Sequence, residues 1–524
     1  MLKNKDNSQN SSIVLITALG GILFVAGMYL MHLHKHGWFY MASDDSYIYL
    51  GYVKSFLLRG ELFSYNPGEY SGGTTGILYY YVLSAVGAAL RTFYWPANMA
   101  AGLTLTAYLL NGSLFVAFFV LLGIIWRRIS SSGGVALYVE LFFLFSLILV
   151  KIDFLWGWFG GLENPLTSFF CLLLVERCLA GAPWWQISVF SAGLAGCRPE
   201  ITPVAFLIPV WVAVSQRGEM NVLAKPTGKK AAKAAGLFLG LMLITVAPCW
   251  YLTGSLFPAS MGTRIAIPIL KNPLLLLKNI IHLVSHPYTG FHGLWMAGSP
   301  VILLLALACY RHPKGKIIIG AAVFLYLFIV MRILLHLTNF SAHDRYISYL
   351  WPLYALIITF VCHHFFIRVL GDNYGLEDER IARIVGRTVL TASLLIGGYA
   401  LIRSTLALDK DITEMNQAVV EPSRWMAENL PPGSRIAMES AGAIRVFTDF
   451  YLIDDVGLTT KHKGHYYSES RKSSFWEWSK PDYVFESPNR LSKLKSVSAL
   501  KTWTTQPRIY SYGTMGLYRI SSLK

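Results

Sequence analysis

The fold is decided by the run IVLITALGGILFVAGMYLM (residues 13–31) and by the polar stretch that follows it, Ser43-Asp44-Asp45-Ser46-Tyr47. The run carries no charge, and at 1.5 Å per residue it is long enough to cross a hydrocarbon layer of about 30 Å. Lys3 and Lys5 precede it and no small-residue cleavage site closes it, so it reads as an uncleaved signal anchor with the N-terminus inside. Two adjacent carboxylates then fall where the chain leaves the bilayer. Carboxylates there are costly unless solvated or used. Tyr65-Asn66-Pro67-Gly68-Glu69-Tyr70 and Ser71-Gly72-Gly73-Thr74-Thr75-Gly76 continue the polar passage, which is longer and richer in turn residues than a plain connector needs.

Composition points the same way. Of 524 residues, 54% are hydrophobic and 14% charged, against about 25% charged in soluble domains. The net charge of +16 does not indicate nucleic acid, because the basic residues gather between apolar segments as the positive-inside rule expects. The six cysteines lie in or beside apolar segments and show neither a disulfide framework nor zinc spacing.

Further spans are expected at about 99–124, 134–151, 164–180, 183–196, 200–215, 234–253, 294–309, 317–337, 347–369 and 388–405. With Asp44 and Asp45 outside, Arg127, Arg128, Arg177, the cluster Arg217 to Lys233, Arg311 to Lys316 and Arg380 to Arg387 fall inside. The outer face then receives the first loop (32–98), Glu163, Arg198, Glu200, the 254–293 loop, His343-Asp344-Arg345 and the tail. Gly76–Leu90 is long enough to cross, but as a span it would reverse every later loop. It therefore reads as interfacial or re-entrant, unless a second span within 254–293 compensates, and the total is odd, about 11 or 13.

After Arg403 charges and turn signals return. The pattern is helix (413–429), Pro-Pro-Gly stop, strand (435–438), short helix (441–447), strand (451–454), helix (468–478) and strand (482–485), an α/β layer. The fold class is thus a polytopic α-helical membrane protein, a membrane module over 1–405 followed by an extracytoplasmic α/β domain over 406–524.

Adjacent carboxylates repel, so one of Asp44 and Asp45 is shifted toward the pKa of a useful base while the other positions a hydroxyl or a cation. A divalent cation held by Asp44 and Asp45 is a further option. His282, His286, His292 and His343 do not form a metal cluster by spacing.

Asp44-Asp45-Ser46-Tyr47, Asn66-Pro67-Gly68-Glu69, Gly161-Leu162-Glu163-Asn164-Pro165, Arg198-Pro199-Glu200 and His343-Asp344-Arg345-Tyr346 occur in an order that resembles the GT-C superfamily of polyprenyl-phosphate-dependent glycosyltransferases. The arabinofuranosyl- and mannosyl-transferase branches are nearest in pattern. The resemblance extends into the tail through Trp425 to Gly433, Ser440 to Ile444 and Asp454 to Leu458. It implies sugar transfer at the outer face of a bacterial-type plasma membrane, from a polyprenyl-phosphate sugar to a glycan, lipid or protein. Asp44 would be the base and Asp45 its helper, with inversion at the anomeric carbon. Because polyprenyl phosphate is a good leaving group, such a site needs cations more than a general acid. Arg198, Arg345 and Arg264 are the candidates for the phosphate, although Arg198 could instead pair with Glu200 or Glu163, and Arg345 with Asp344. Tyr47, Asn66, Glu69, Glu163, Glu200, His343 and Asp344 would face substrate. The alternatives are a lipid-linked saccharide transporter, for which inverted repeats and broken helices are not evident, and a membrane sensor with an outer ligand-binding domain.

Overall fold

The computed structural model describes residues 2–130, 134–151, 154–215, 228–256, 299–309, 312, 314–334, 348–366, 379–438, 441–455, 457–460, 478–486, 497–504 and 516–523. In chain order the helices are α1 (Leu2–His36), α2 (Asp44–Arg59), α3 (Ile77–Phe93), α4 (Met99–Ile129), α5 (Gly134–Leu149), α6 (Phe154–Phe159), α7 (Asn164–Leu179) and α8 (Trp184–Cys197). They continue with α9 (Thr202–Ser215), α10 (Gly228–Thr253), α11 (Ser299–Ala308), α12 (Gly315–Leu334), α13 (Trp351–Phe366), α14 (Glu379–Met415), α15 (Glu421–Asn429) and α16 (Ala441–Phe447). Four helical stretches, Ser11–His36, Met99–Ile129, Gly228–Thr253 and Gly386–Asn429, are long and apolar enough to cross a membrane on length and composition.

Small residues let α1 and α4 pack closely as an antiparallel pair. Gly21 lies where a Cβ would come 3.2 Å from Val116, Gly123 faces Ile13 and Thr17, and Trp38 donates to Thr104 at 3.1 Å. The chain therefore leaves α1 and re-enters α4 at the same end of the bundle. The Gly76–Leu90 stretch forms α3, which packs with Gly87 against Val53 and Leu57 of α2 and Thr106 of α4 and with Tyr79 donating to Asn111 at 3.4 Å.

At the opposite end, Arg128 of α4 meets Glu176 of α7 at 3.0 Å, and His363 of α13 meets Glu140 of α5 at 2.8 Å. α14 runs beside α5 in the same direction, with Ser146 donating to the Ser393 carbonyl at 2.7 Å and Ser404 to that of Lys151 at 3.3 Å. The basic residues Arg127, Arg128, Arg177, Lys229, Lys230, Lys233, Lys314 and Lys316 belong to the end opposite Asp44.

Position 406, expected as a domain boundary, lies inside α14, because no glycine or proline interrupts the chain there. A π-turn at Asn416–Val420 joins α14 to α15. Beyond it, β1 (Arg435–Met438), β2 (Tyr451–Asp454), β3 (Tyr483–Glu486), β4 (Val497–Thr504) and β5 (Gly516–Leu523) form one sheet of order β2-β1-β3-β5-β4. β1 pairs in parallel with β2 and β3, while β5 is antiparallel to β3 and β4. Three strands and α16 stand where the sequence placed them; β4 and β5 were not anticipated. Of the helix expected at 468–478, residues 468–477 lie outside the described residues.

Candidate active site

α2 begins at Asp44, with Ser43 extended before it and two carboxylates in its first turn, where a helix dipole favours negative charge. The Asp44 side chain does not turn back to cap its own helix. It crosses to the C-terminal domain, where Oδ2 accepts from the Gly442 amide and Oδ1 from the Ala443 amide, each at 2.9 Å. These first-turn N–H groups of α16 have no partner within their helix, so a residue some 400 positions away caps it. A Cβ on Gly442 would lie 2.1 Å from the Asp44 carbonyl oxygen, so only glycine fits.

Burial of the Asp44 carboxyl outweighs its two amide bonds and, with a smaller contribution from the nearby charges of Asp45 and Asp454, pushes it up to about 7. That value suits a general base near neutral pH.

The rest of the first loop continues the docking. Lys54, 4% exposed, donates to the carbonyls of Arg445 (3.1 Å), Val446 (3.3 Å) and Thr448 (2.8 Å) and pairs with Asp449 at 2.9 Å. Tyr65 donates to the Ala441 carbonyl at 2.8 Å. Asn66 donates to the Leu452 carbonyl at 2.7 Å and accepts its amide at 2.9 Å, completing the open edge of β2 as a neighbouring strand would. Tyr451 donates to Glu69, and Ser71 to the Thr459 carbonyl at 2.6 Å. Asn66 and Glu69, expected to face substrate, are engaged in this interface. Tyr47, expected likewise, is fully buried, its ring against Phe447 and its hydroxyl accepting the Met41 amide at 3.1 Å. The Asp454-to-Leu458 motif is a turn: Asp454 accepts from the amides of Leu458 and Thr459, each at 2.9 Å.

A second polar cluster adjoins α2. Ser46 donates to the Gly160 carbonyl, and Gly161, at φ +89°, sits where a side chain would strike Met41 and Ser46. This turn delivers Glu163 to Arg198 at 2.9 Å, while Glu200 approaches the same guanidinium at 3.3 Å and Asn164 accepts from it at 2.9 Å. Arg198 is 1% exposed and lies over the Tyr349 ring. Of its two sequence readings, the ion pair is the one the structure displays, with both suggested carboxylates taking part. Arg198, Glu163 and Glu200 are all buried. Arg264, His282, His286, His292, His343, Asp344 and Arg345 lie outside the described residues.

Sequence reasoning missed Arg424 of α15. The residue is exposed, and its guanidinium donates to the Tyr40 hydroxyl at 2.8 Å and lies 5.5 Å from the Tyr40 ring and 5.4 Å from that of Phe447. Tyr40 stands four residues before Asp44, and Phe447 is the last residue of the helix that Asp44 caps. No local signal could have found it, because its partners come from distant parts of the chain. Among the described residues no three His, Cys, Asp or Glu side chains converge as metal ligands. Each Asp44 carboxylate oxygen accepts one backbone amide, Oδ2 from Gly442 and Oδ1 from Ala443.

The chain has the fold of the GT-C superfamily of membrane glycosyltransferases, and it is a multi-pass membrane protein. ArnT from Cupriavidus metallidurans in the apo state is similar with a TM-score of 0.52 and 12% identity, over 99% of this chain and 98% of that one. An Archaeoglobus fulgidus oligosaccharyltransferase tethered to an acceptor peptide has a TM-score of 0.51 and 11% identity, over 98% of this chain and 74% of that one. AglB from A. fulgidus with an inhibitory peptide and a dolichol-phosphate gives 0.51 and 11%, over 92% and 69%. Residues 405–518 match a family described as a domain of unknown function (DUF8728). No curated protein matches the chain.

Proposed function

We propose that the chain is a membrane glycosyltransferase that moves a sugar from a polyprenyl-phosphate-linked donor to an acceptor on the extracytoplasmic face. The observation that carries this reading is the half-buried Asp44 carboxylate, raised toward neutrality and held by two amides, at the loop end of a GT-C fold. The dolichol-phosphate in the AglB structure supports a lipid-phosphate donor. The basic residues at the opposite end support an extracytoplasmic site by the positive-inside rule.

In this reading the Asp44 carboxylate takes the acceptor proton, and the acceptor oxygen bonds to the anomeric carbon from the face opposite the phosphate. The carbon–oxygen bond to polyprenyl phosphate breaks, and the phosphate leaves with the electron pair, inverting the centre. Asp45 assists by orienting the acceptor. Arg424, an exposed residue beside the Asp44 helix cap, carries a guanidinium suited to the leaving phosphate, and Arg345 and Arg264 stay candidates for the same task. The acceptor is a glycan, a lipid or a protein.

The test is Asp44→Asn, purified and assayed for release of free polyprenyl phosphate from a polyprenyl-phosphate sugar. Turnover should fall by about 100-fold or more, the usual range for a lost general base. Full turnover by a folded variant would remove Asp44 from the role.

A further inference from the structure

The segment matched by the domain of unknown function closes on the first loop around a single short helix. α2 and α16 lie side by side and point the same way, with Asp44 at the amino end of α16 and Lys54 at its carboxyl end. Parallel neighbouring dipoles repel, and a negative and a positive side chain at the matching ends offset that repulsion. Two glycines allow the approach: a Cβ on Gly442 would strike the Asp44 backbone at 2.1 Å, and one on Gly51 would meet Tyr65 at 2.6 Å and Arg445 at 3.0 Å.

We propose that the C-terminal domain is the positioning element of the base: the Gly442 and Ala443 amides orient the Asp44 carboxylate, and Lys54 keeps those amides in place from the far end of α16. The inference rests on the transferase reading above. Both carboxylate oxygens are fixed by donors on a rigid element, which leaves the second lone pair on each for an acceptor hydroxyl. Asp45 and Tyr47 from α2, Tyr65 from the following loop and Asp454 at the end of β2 also act on this carboxylate or feel its charge. The two amides lower its proton affinity against burial and against the charges of Asp45 and Asp454. The domain therefore acts as part of the catalytic centre, whatever else it binds.

Ala443→Pro removes one amide donor in the first helical turn, where proline is tolerated because that N–H has no helical partner. Gly442→Ala displaces the other. In the full-length protein, with a polyprenyl-phosphate sugar as donor, each should lower kcat about 10- to 100-fold with donor KM changed less than about 3-fold. The acid limb of the kcat profile should move to higher pH, because a carboxylate that loses an amide donor holds its proton more tightly. Retained melting temperature for at least one variant separates this from unfolding. Wild-type kcat and an unmoved acid limb in a folded Ala443→Pro protein, with Asp44→Asn still inactive, would overturn the positioning role alone. An active Asp44→Asn would instead overturn the transferase reading beneath it.

Discussion

Asp44 and Lys54 of α2 hold the two ends of α16, one accepting its first amides and the other donating to its last carbonyls. The first loop and the C-terminal domain are thereby a single docked unit. Lys54→Met removes the charge and leaves three carbonyls short of a donor, a loss of about 1–3 kcal/mol for a buried acceptor left unsatisfied. Amide exchange across residues 441–448 should accelerate while the helices of the bundle keep their protection. Unchanged exchange there would show that Lys54 does not hold the helix.

The Asp44 carboxyl stands at about 7, whereas an unfolded aspartate titrates near 4. A base must be ionised, so turnover should rise as pH increases through about 7. Stability moves the other way. The folded state binds the Asp44 proton more tightly, so this group's contribution to folding falls between about pH 4 and 7. Rate profiles and melting temperatures in parallel check both signs, and Asp44→Asn should flatten each.

Arg198 is held by Glu163 and Glu200 in full burial. Removing one partner of such a pair leaves uncompensated charge, at a cost of about 3–5 kcal/mol. Arg198→Gln should therefore lower yield and melting temperature. A stable Arg198→Gln protein with a selectively raised donor KM would restore the phosphate-clamp reading.

Arg424 should behave in the opposite manner. It is exposed and rests on Tyr40 and Phe447, so Arg424→Ala should leave the protein stable and raise donor KM by roughly 10-fold, the size of a charge-assisted contact. Lysine retains charge but not the planar fork and should restore only part of the effect. Inhibition by free polyprenyl phosphate should weaken in parallel.

The sequence alone determined the polytopic helical fold class, three of the five strands, and the pairing options of Arg198. These follow from hydropathy, turn residues and cost arguments that act over a few neighbouring residues. It left the status of Gly76–Leu90 open, whereas the α1–α4 pair shows that the chain returns to the end it left. Only the tertiary structure decided that Asn66, Glu69 and Tyr47 serve docking or packing, that Arg424 joins Tyr40, and that Gly442 must be glycine. Those depend on contacts between residues more than 370 positions apart. Such contacts leave no periodic trace in the chain, because a hydrogen bond across two elements constrains their packing and not the residues beside each partner.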